Sequence, residues 1–220
     1  MQAQASKQNA LVTGPISKKN IIDSGIKFSG HTEWIQEKTK SDDVLMLLSA
    51  KQLRVALVTT HIPLDKVTKS ITKRKIIAKA KILNEDLKLK LKVKAPKLVM
   101  LGLNPHAGEG GTIGKQENLI LKPAAKYLRK KGINISDPIS ADTAFTQKML
   151  KETDAYLAMY HDQALPVLKA LSFGEGINVT LGVPIVRTSV DHGVALDIAG
   201  SGKASFSSLQ NALDTAKSMI

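Results

Sequence analysis

Short apolar runs that end in turn-forming residues recur along the chain, and longer stretches with helical periodicity separate them. Runs of this kind, bounded by Gly, Pro, Asn or Asp, predict buried strands, here at residues 10–12, 55–58, 98–103, 156–159, 177–180 and 185–188. The intervening stretches predict helices at residues 32–39, 65 to about 87, 115–131, 142–152, 165–171 and 207–219. Asp65 and Asp142 are placed to cap two of these helices. Strands that alternate with helices predict an α/β fold with a largely parallel sheet.

Residues 87–94, with the sequence LKLKLKVK, fit two structures. Their period of two is typical of an amphipathic strand. They equally fit a fraying helix end followed by a connector to Pro96. We favour the connector, because a complete apolar run begins almost at once, at Leu98.

Composition narrows the function classes. The 220 residues suit one large domain or two small lobes, and the absence of cysteine excludes disulfides and Cys-based zinc sites. Residues 1–10 contain no apolar core of an export signal, and no apolar run is long enough to span a bilayer, so a cytoplasmic protein is expected. The net charge of +13 is concentrated in residues 66–97, where no aromatic side chain interleaves. A solvated lysine-rich helix is therefore favoured over a nucleic-acid surface.

Three of the five histidines follow directly after predicted strands: His61, His106 and His161. In open α/β sheets, ligands bind beyond the carboxyl ends of the strands. If these strands are parallel neighbours, the three imidazoles share one edge of the sheet and can bind a divalent transition metal. The alternative is that the histidines lie in loops and have no ligand, which is the commoner situation for any single histidine.

Other segments admit both a functional and a structural interpretation. Residues 104–111 (NPHAGEGG) form a small-residue loop that suits backbone contacts to an anion, but no GxGxxG dinucleotide motif occurs anywhere in the chain. His31 and Thr32 begin a predicted helix, where anions are favoured, or Thr32 or Ser29 simply caps it. Lys169 and Arg187 lie among apolar residues, so each needs an anionic partner: either a substrate phosphate or carboxylate, or a structural salt bridge.

Seven segments occur together and in order: LVTGPISK, SGHTE, TTHIPL, GLNPHAGEGG, ISADTAF, MYHDQ and TSVDHGVALDIAGSGKAS. With them the chain resembles the 4-hydroxythreonine-4-phosphate dehydrogenase (PdxA) family of vitamin B6 biosynthesis from about Ala10 onward. The resemblance implies a two-lobed α/β/α fold like that of isocitrate and isopropylmalate dehydrogenases. It implies that residues 25–195 form the metal- and substrate-binding, dimer-forming lobe, and that residues 1–24 and 196–220 belong to the coenzyme-side lobe.

The same resemblance assigns roles to individual residues. It implies a metal site at His61, His106 and His161 for zinc, magnesium or cobalt, and proton transfer by Asp142 with His31 beside it. The remaining assignments are substrate contacts at His31, Thr32, Lys169, Asn178 and Arg187, and contacts to NAD or NADP at His192, Gly193, Asp197 and Gly200. The implied partner is a second copy of the chain, with the active site built across the interface, an arrangement in which the partner subunit can supply His161.

The implied reaction is oxidation of the C3 hydroxyl of 4-phosphooxy-L-threonine, followed by loss of CO2. Two departures from the family pattern stand out. Thr112 replaces a histidine that related sequences often carry, and about the first third of a family member has no counterpart before Met1. Two alternatives therefore stay open: a dehydrogenase of another phosphorylated hydroxy acid such as erythronate 4-phosphate, or a non-catalytic binding remnant.

Overall fold

Seven strands form one sheet in the computed structural model, which describes residues 9–172 and 174–220. Residues 1–8, where no export signal is predicted, lie outside this part. The strands are β1 (Ala10–Thr13), β2 (Leu45–Ala50), β3 (Leu53–Leu57), β4 (Leu98–Met100), β5 (Ala155–Ala158), β6 (Ile177–Leu181) and β7 (Val186–Val190). The helices are α1 (Lys18–Asp23), α2 (His31–Thr39), α3 (Leu64–Ser70), α4 (Lys73–Leu89), α5 (Lys122–Lys130), α6 (Gln147–Glu152), α7 (Leu165–Ser172) and α8 (Ser207–Met219).

The sheet is mixed, in the order β1-β7-β6-β2-β3-β5-β4. The pairs β1–β7, β3–β5 and β5–β4 are parallel, whereas β7–β6, β6–β2 and β2–β3 are antiparallel. The expectation of a largely parallel sheet is therefore wrong. The difference arises at β2, an unpredicted strand that forms a hairpin with β3 through Lys51 and Gln52, with Lys51 in the left-handed region at φ 52°.

Helices cover both faces of the sheet. On one face, the apolar sides of α4, α5 and α8 pack on β2, β4, β5 and β6 around residues such as Leu83, Leu128 and Ala212. On the other face, α7 packs on β3 and β5 through Leu165 and Leu168, α6 packs there through Met149 and Leu150, and α2 inserts Ile35 beside β1. This layering shows an α/β fold. It leaves the ends of the strands free to carry loops.

Several predicted helix boundaries are wrong for local reasons. The helix expected from residue 65 to 87 is two helices, α3 and α4, because Thr72 interrupts it and caps α4 by accepting a hydrogen bond from the Lys75 amide (3.2 Å). Asp65 lies inside α3, and Asp142 lies in a turn before α6, which Thr146 caps instead. The helix expected at 115–131 begins with a π-helical turn, Glu117–Leu121, before α5. The short helix α1 was not predicted.

The favoured interpretation of residues 87–94 is confirmed, since α4 ends at Leu89 and no strand follows before β4. Helix α4 is amphipathic: it buries Ile76, Ala80, Leu83 and Leu87, and its lysines lie on other faces. Lys79 pairs with Asp43 at 2.7 Å and Lys90, which follows the helix, pairs with Asp86 at 2.8 Å, with the lysine side chains only 13% and 14% exposed. The choice of a solvated helix over a nucleic-acid surface stays a prediction.

The ends of the described chain join the same sheet. Strand β1 pairs with β7, and α8 packs on β1 and β7, with the Thr188 hydroxyl donating to the Ala212 carbonyl at 2.8 Å. The division into a lobe of residues 25–195 and flanking segments of a second lobe stays a prediction. Among the described helices, none combines the length and apolar character that crossing a bilayer requires.

Candidate active site

Three histidines lie beyond the carboxyl ends of β3, β4 and β5, which are neighbours in the sheet. The rings of His61 and His161 face each other, with centroids 5.6 Å apart. Two imidazoles that bind one tetrahedral ion through bonds of about 2.1 Å place their ring centres roughly 5 Å apart. This pair therefore has the spacing of two ligands to a single ion. A cavity of about 520 Å³ opens beside the two rings, lined also by Thr60, Tyr160 and Asp162.

His106 lies in a neighbouring cavity of about 430 Å³, which shares Tyr160 and Asp162 with the first. Its Nδ1 atom is 3.8 Å from an Asp142 carboxylate oxygen. In residues 9–172 and 174–220, no three His, Asp or Glu side chains converge closely enough to hold a metal ion. The structure thus pairs two of the three predicted ligands and places the third in an adjoining cavity.

The donor chemistry of the histidine pair suits a metal ion. Burial lowers the pKa of His61, and the neighbouring His161 and Lys18 lower it further, so His61 is neutral at physiological pH and its lone pair is available. His161 Nδ1 lies 2.6 Å from Asp162 Oδ1. A carboxylate on one ring nitrogen orients an imidazole and directs the other nitrogen toward a ligand. These residues therefore fit a divalent ion in chemistry, with His106 still apart.

Asp142 occupies the turn between β4 and α6, on the wall of the His106 cavity. The Ser140 hydroxyl donates a hydrogen bond to it, and this bond lowers the pKa of Asp142 below its ordinary value, with His106 as a further cause. The carboxylate is exposed and stays ionised near neutral pH. It can accept a proton from a group held in this cavity, directly or through water.

Arg187 is a cation buried within the sheet. It lies on β7, its side chain is 3% exposed, and burial lowers its pKa to about 10. Its guanidinium donates to the hydroxyls of Thr180 (3.1 Å) and Thr13 (2.9 Å), and no carboxylate of the described chain forms an ion pair with it. The Nε atom has no hydrogen-bond partner. A buried guanidinium in this state is set up to receive an anion.

Asn178, on the adjacent strand, has a second buried polar atom without a hydrogen-bond partner. It pairs with Ser189 across β6 and β7, so its side chain lies on the same face of the sheet as Arg187, two residues from Ser189. Its Oδ1 atom is buried and has no hydrogen-bond partner. One orphaned donor and one orphaned acceptor on the same face indicate a polar ligand.

His31 and Thr32 begin α2, as predicted. Gly30 occupies the N-cap position and no side chain caps the helix, so the capping alternative for Ser29 and Thr32 is wrong. Burial lowers the pKa of His31, and the charges of Arg187 and Lys18 lower it further. His31 is therefore close to Arg187 and neutral, and the uncapped first turn of α2 has free amide groups for an anion.

Lys169 behaves differently from Arg187. It projects from α7 and is half-exposed, and it forms an ion pair with Asp191 at 2.8 Å and a hydrogen bond to the Asp191 carbonyl at 2.9 Å. Of the two interpretations open for Lys169, the structure shows the salt bridge. Its role in substrate binding remains a prediction.

The predicted coenzyme segment borders the largest of the four cavities described, about 710 Å³. His192, Gly193 and Gly200 line it, with Pro15 on the opposite side. Gly200 has φ 72°, a left-handed conformation that a side chain would strain. Asp197 is exposed on the adjoining 3-10 helix Leu196–Ile198 and does not line the cavity. The walls are largely apolar, as a flat aromatic base requires.

Glu117 and Gln163 have no role in the sequence-based interpretation, yet both support the histidine loops. Glu117 is 1% exposed and Gln163 bridges the ends of β4 and β5. A signal for Glu117 was available, since it precedes Leu121, Ala124 and Leu128 at helical spacing on a buried face. A carboxylate at such a core position needs internal hydrogen-bond partners.

The fold of the chain is shared with more distant proteins of known structure. Isocitrate dehydrogenase from Methylococcus capsulatus superposes with a TM-score of 0.53 at 14% identity, over 90% of this chain and 64% of that chain. At this identity the likeness shows the fold alone, that of the isocitrate dehydrogenase-like α/β proteins.

The family follows from closer matches. The family described as "Pyridoxal phosphate biosynthetic protein PdxA" matches residues 1–216, so the chain belongs to the PdxA family. It is 52% identical over 210 residues to the 4-hydroxythreonine-4-phosphate dehydrogenase of Ectopseudomonas mendocina, covering 96% of this chain and 62% of the relative. A crystal structure of the enzyme so named from Burkholderia phymatum superposes with a TM-score of 0.85 at 38% identity, over 99% and 66% of the two chains. The chain thus spans under two thirds of its relatives.

Proposed function

We propose that this chain contributes to the oxidation and decarboxylation of 4-phosphooxy-L-threonine with a nicotinamide coenzyme and a divalent metal ion, in the biosynthesis of pyridoxal 5'-phosphate. One observation carries the proposal: a buried guanidinium, Arg187, without a carboxylate partner, beside a neutral His31. The similarity to 4-hydroxythreonine-4-phosphate dehydrogenases supports the substrate class.

The anionic parts of the substrate would bind on the β6–β7 face. Arg187 offers its free Nε–H and the start of α2 offers backbone amides at His31 and Thr32 to the anion, whereas the buried amide oxygen of Asn178 would accept a hydrogen bond from a hydroxyl or ammonium group of the substrate. A phosphate or carboxylate there would recover the desolvation that burial imposes on Arg187. Lys169 would provide a second cation at the edge of the site, shared with Asp191.

The histidines would hold the metal ion, with His61 and His161 as a ready pair and His106 as the third ligand. When bound, a divalent ion lowers the pKa of a substrate hydroxyl and stabilises negative charge on oxygen. His61 and His161 would orient the substrate hydroxyl, and Asp142 would accept the proton that this hydroxyl releases. Zinc and cobalt suit a set of imidazole ligands, whereas magnesium prefers oxygen ligands and would depend more on oxygens of the substrate.

The coenzyme would bind along residues 192–208, with the apolar cavity receiving its adenine end. His192, Gly193 and Gly200 would contact it directly, and Asp197 would contact a polar part outside the cavity. No Lys or Arg of the described chain lines this cavity, which favours NAD over the 2'-phosphorylated NADP. A second copy of the chain would complete a homodimer with a shared site, as the family resemblance implies.

Production of NADH tests this proposal. The purified chain, loaded with Zn²⁺, Mg²⁺ or Co²⁺ in turn, is incubated with either coenzyme and with 4-phosphooxy-L-threonine or erythronate 4-phosphate. We expect NADH only with the phosphorylated threonine and none from His106→Ala. Turnover of erythronate 4-phosphate alone would support the alternative substrate. No turnover, together with salt-sensitive binding of nucleic acid, would support a non-catalytic remnant.

A further inference from the structure

A buried carboxylate lies directly beneath the loop that carries His106. Glu117 is the first residue of the π-helical turn before α5 and is 1% exposed. Its Oε1 atom accepts hydrogen bonds from the backbone amides of Leu103 and Asn104, both at 2.8 Å, and its Oε2 atom accepts one from the Asn104 side-chain amide at 2.9 Å. All three donors belong to the segment that leads from β4 into the His106 loop.

The His106 loop depends on such external contacts because its own backbone is unfavourable. His106, Ala107, Gly108, Glu109 and Gly110 all have positive φ, from 42° to 78°, and three of the five are not glycine. A run of left-handed residues persists only where surrounding structure imposes it. Glu117 provides that structure at the beginning of the loop, where the Ala107 amide also donates to the Asn104 carbonyl at 3.1 Å.

The glycines of the loop are fitted to this carboxylate. A Cβ atom on Gly108 would lie 2.5 Å from the Glu117 Oε2 atom, and one on Gly102 would lie 3.4 Å from Oε1. Gly108 also has φ 78°. The close approach of Gly108 to the carboxylate, and of Gly102 to the Ala107 backbone, where a Cβ atom would lie 2.8 Å from Cα, allows the chain to wrap around the buried acid.

The contact extends to the strand that precedes His161. The Gln163 side chain accepts a hydrogen bond from the Met159 amide at 2.7 Å and donates one to the Gly102 carbonyl. The end of β4, held by Glu117, is therefore tied to the end of β5, next to His161. A change at Glu117 would reach His106 directly and His161 through this bridge.

From these contacts we propose that Glu117 is a positioning residue for the metal site: it sets the place of His106 relative to His61 and His161. This inference rests on the proposed function, since it assumes that the three histidines bind one ion. Groups that orient metal ligands from behind change metal affinity by about 10- to 100-fold when they are removed. Glu117 would act through three hydrogen bonds without touching the ion.

Co²⁺ provides the probe, because its visible absorption reports the number and geometry of its ligands. We expect Glu117→Gln to raise the Co²⁺ dissociation constant of the full chain by about 10- to 100-fold. The substituted amide would direct an N–H group at the Asn104 side chain, where the carboxylate accepts. At saturating Co²⁺, the Glu117→Gln spectrum should resemble that of His106→Ala, a change that a loss of stability alone would not produce.

Glu109→Gln is the matched control. Glu109 lies in the same loop and is exposed, so the substitution removes the same charge close to His106 without removing a buried contact. Its Co²⁺ affinity and spectrum should equal those of the unaltered chain. Asn104→Ala is a milder second variant that removes only the 2.9 Å contact to Glu117 and the 2.9 Å contact to Gln116, and it serves if Glu117→Gln does not fold.

The outcomes separate the two proposals. If the unaltered chain binds Co²⁺ and His106→Ala binds it more weakly and with an altered spectrum, while Glu117→Gln and Asn104→Ala bind with unchanged affinity and spectrum, the positioning role of Glu117 is refuted and the metal site stands. If the unaltered chain shows no histidine-dependent Co²⁺ binding, the metal site itself is refuted, and the positioning role with it. Weakened binding in both variants, with Glu109→Gln unchanged, supports the inference.

Discussion

Replacing Arg187 with Met should abolish anion binding while leaving the free energy of unfolding nearly unchanged. Burial lowers the pKa of Arg187 to about 10. This value lies between two and three pH units below that of a free guanidinium, and each unit is worth about 1.4 kcal/mol, so the buried charge opposes folding by roughly 3 kcal/mol. Because the pKa is lower in the folded state than in the unfolded chain, this cost is present at every pH below about 10.

Two hydrogen bonds oppose that cost. The guanidinium donates to Thr180 and Thr13, and if each bond to this charged group contributes about 1.5 kcal/mol, together they offset roughly 3 kcal/mol. Met keeps most of the apolar stem in place. We therefore expect Arg187→Met to change the free energy of unfolding by no more than about 1 kcal/mol, the uncertainty of the two opposing magnitudes.

Urea unfolding with and without inorganic phosphate measures both the free energy of unfolding and the stabilisation by a bound anion. A ligand at one hundred times its dissociation constant stabilises the folded state by about 2.7 kcal/mol. Phosphate should raise the unfolding midpoint of the unaltered chain and leave that of Arg187→Met unchanged. Arg54→Met is the control, since Arg54 is also partly buried in the sheet, on β3, and donates to the Asp154 carbonyl. It should keep the response to phosphate.

A large loss of stability in Arg187→Met, together with a retained response to phosphate, would refute this reasoning. If Arg187→Met is destabilised by more than about 3 kcal/mol and still responds to phosphate, then Arg187 is a structural residue. The proposed anion site on the β6–β7 face would then have to be abandoned.

Substitutions at three further residues test other parts of the structure. Asp142→Asn should lower turnover by about 10²- to 10⁴-fold without changing metal content, since it removes the proton acceptor and no ligand; equal turnover or lost metal would contradict its role. Leu128→Ala should lower the free energy of unfolding by about 2–5 kcal/mol in urea, because Leu128 is fully buried between α5 and the sheet. Thr72→Ala should cost about 1 kcal/mol by removing the α4 cap, whereas Thr72→Ser should cost less.

The elements that the sequence predicts well are those whose pattern is local. Strand β6 and helix α8 lie where apolar runs and helical periodicity place them, and α8 has the predicted bounds. The break between α3 and α4 was missed because neither Pro nor Gly marks it. It depends on Ile71, which turns into the core, and on the Thr72 cap, and both became clear only from tertiary packing.

The candidate site was predictable in its residues but not in its arrangement. Strand-end positions indicate that His61 and His161 share an edge, because that inference needs only parallel β3 and β5. The position of His106 depends on a left-handed loop and a buried acid, Glu117, eleven residues later, and such a contact leaves no periodic signal. Arg187 has no carboxylate partner in the described chain, whereas Lys169 pairs with Asp191, and both outcomes depend on which acids the fold brings near each cation.

The direction of β7 decides whether Arg187 and the histidines that follow β3 and β5 can lie at the same edge of the sheet. Between β3 and β7 the sheet contains three antiparallel steps, so β7 runs opposite to β3 and its second residue, Arg187, lies at the edge where the histidines follow β3 and β5. In the parallel sheet that the sequence favours, Arg187 would lie at the opposite edge. The charge of Lys18 contributes to the lowered pKa of both His31 and His61. The unpredicted strand β2 is therefore what brings the proposed anion-binding face and the histidine pair to one edge.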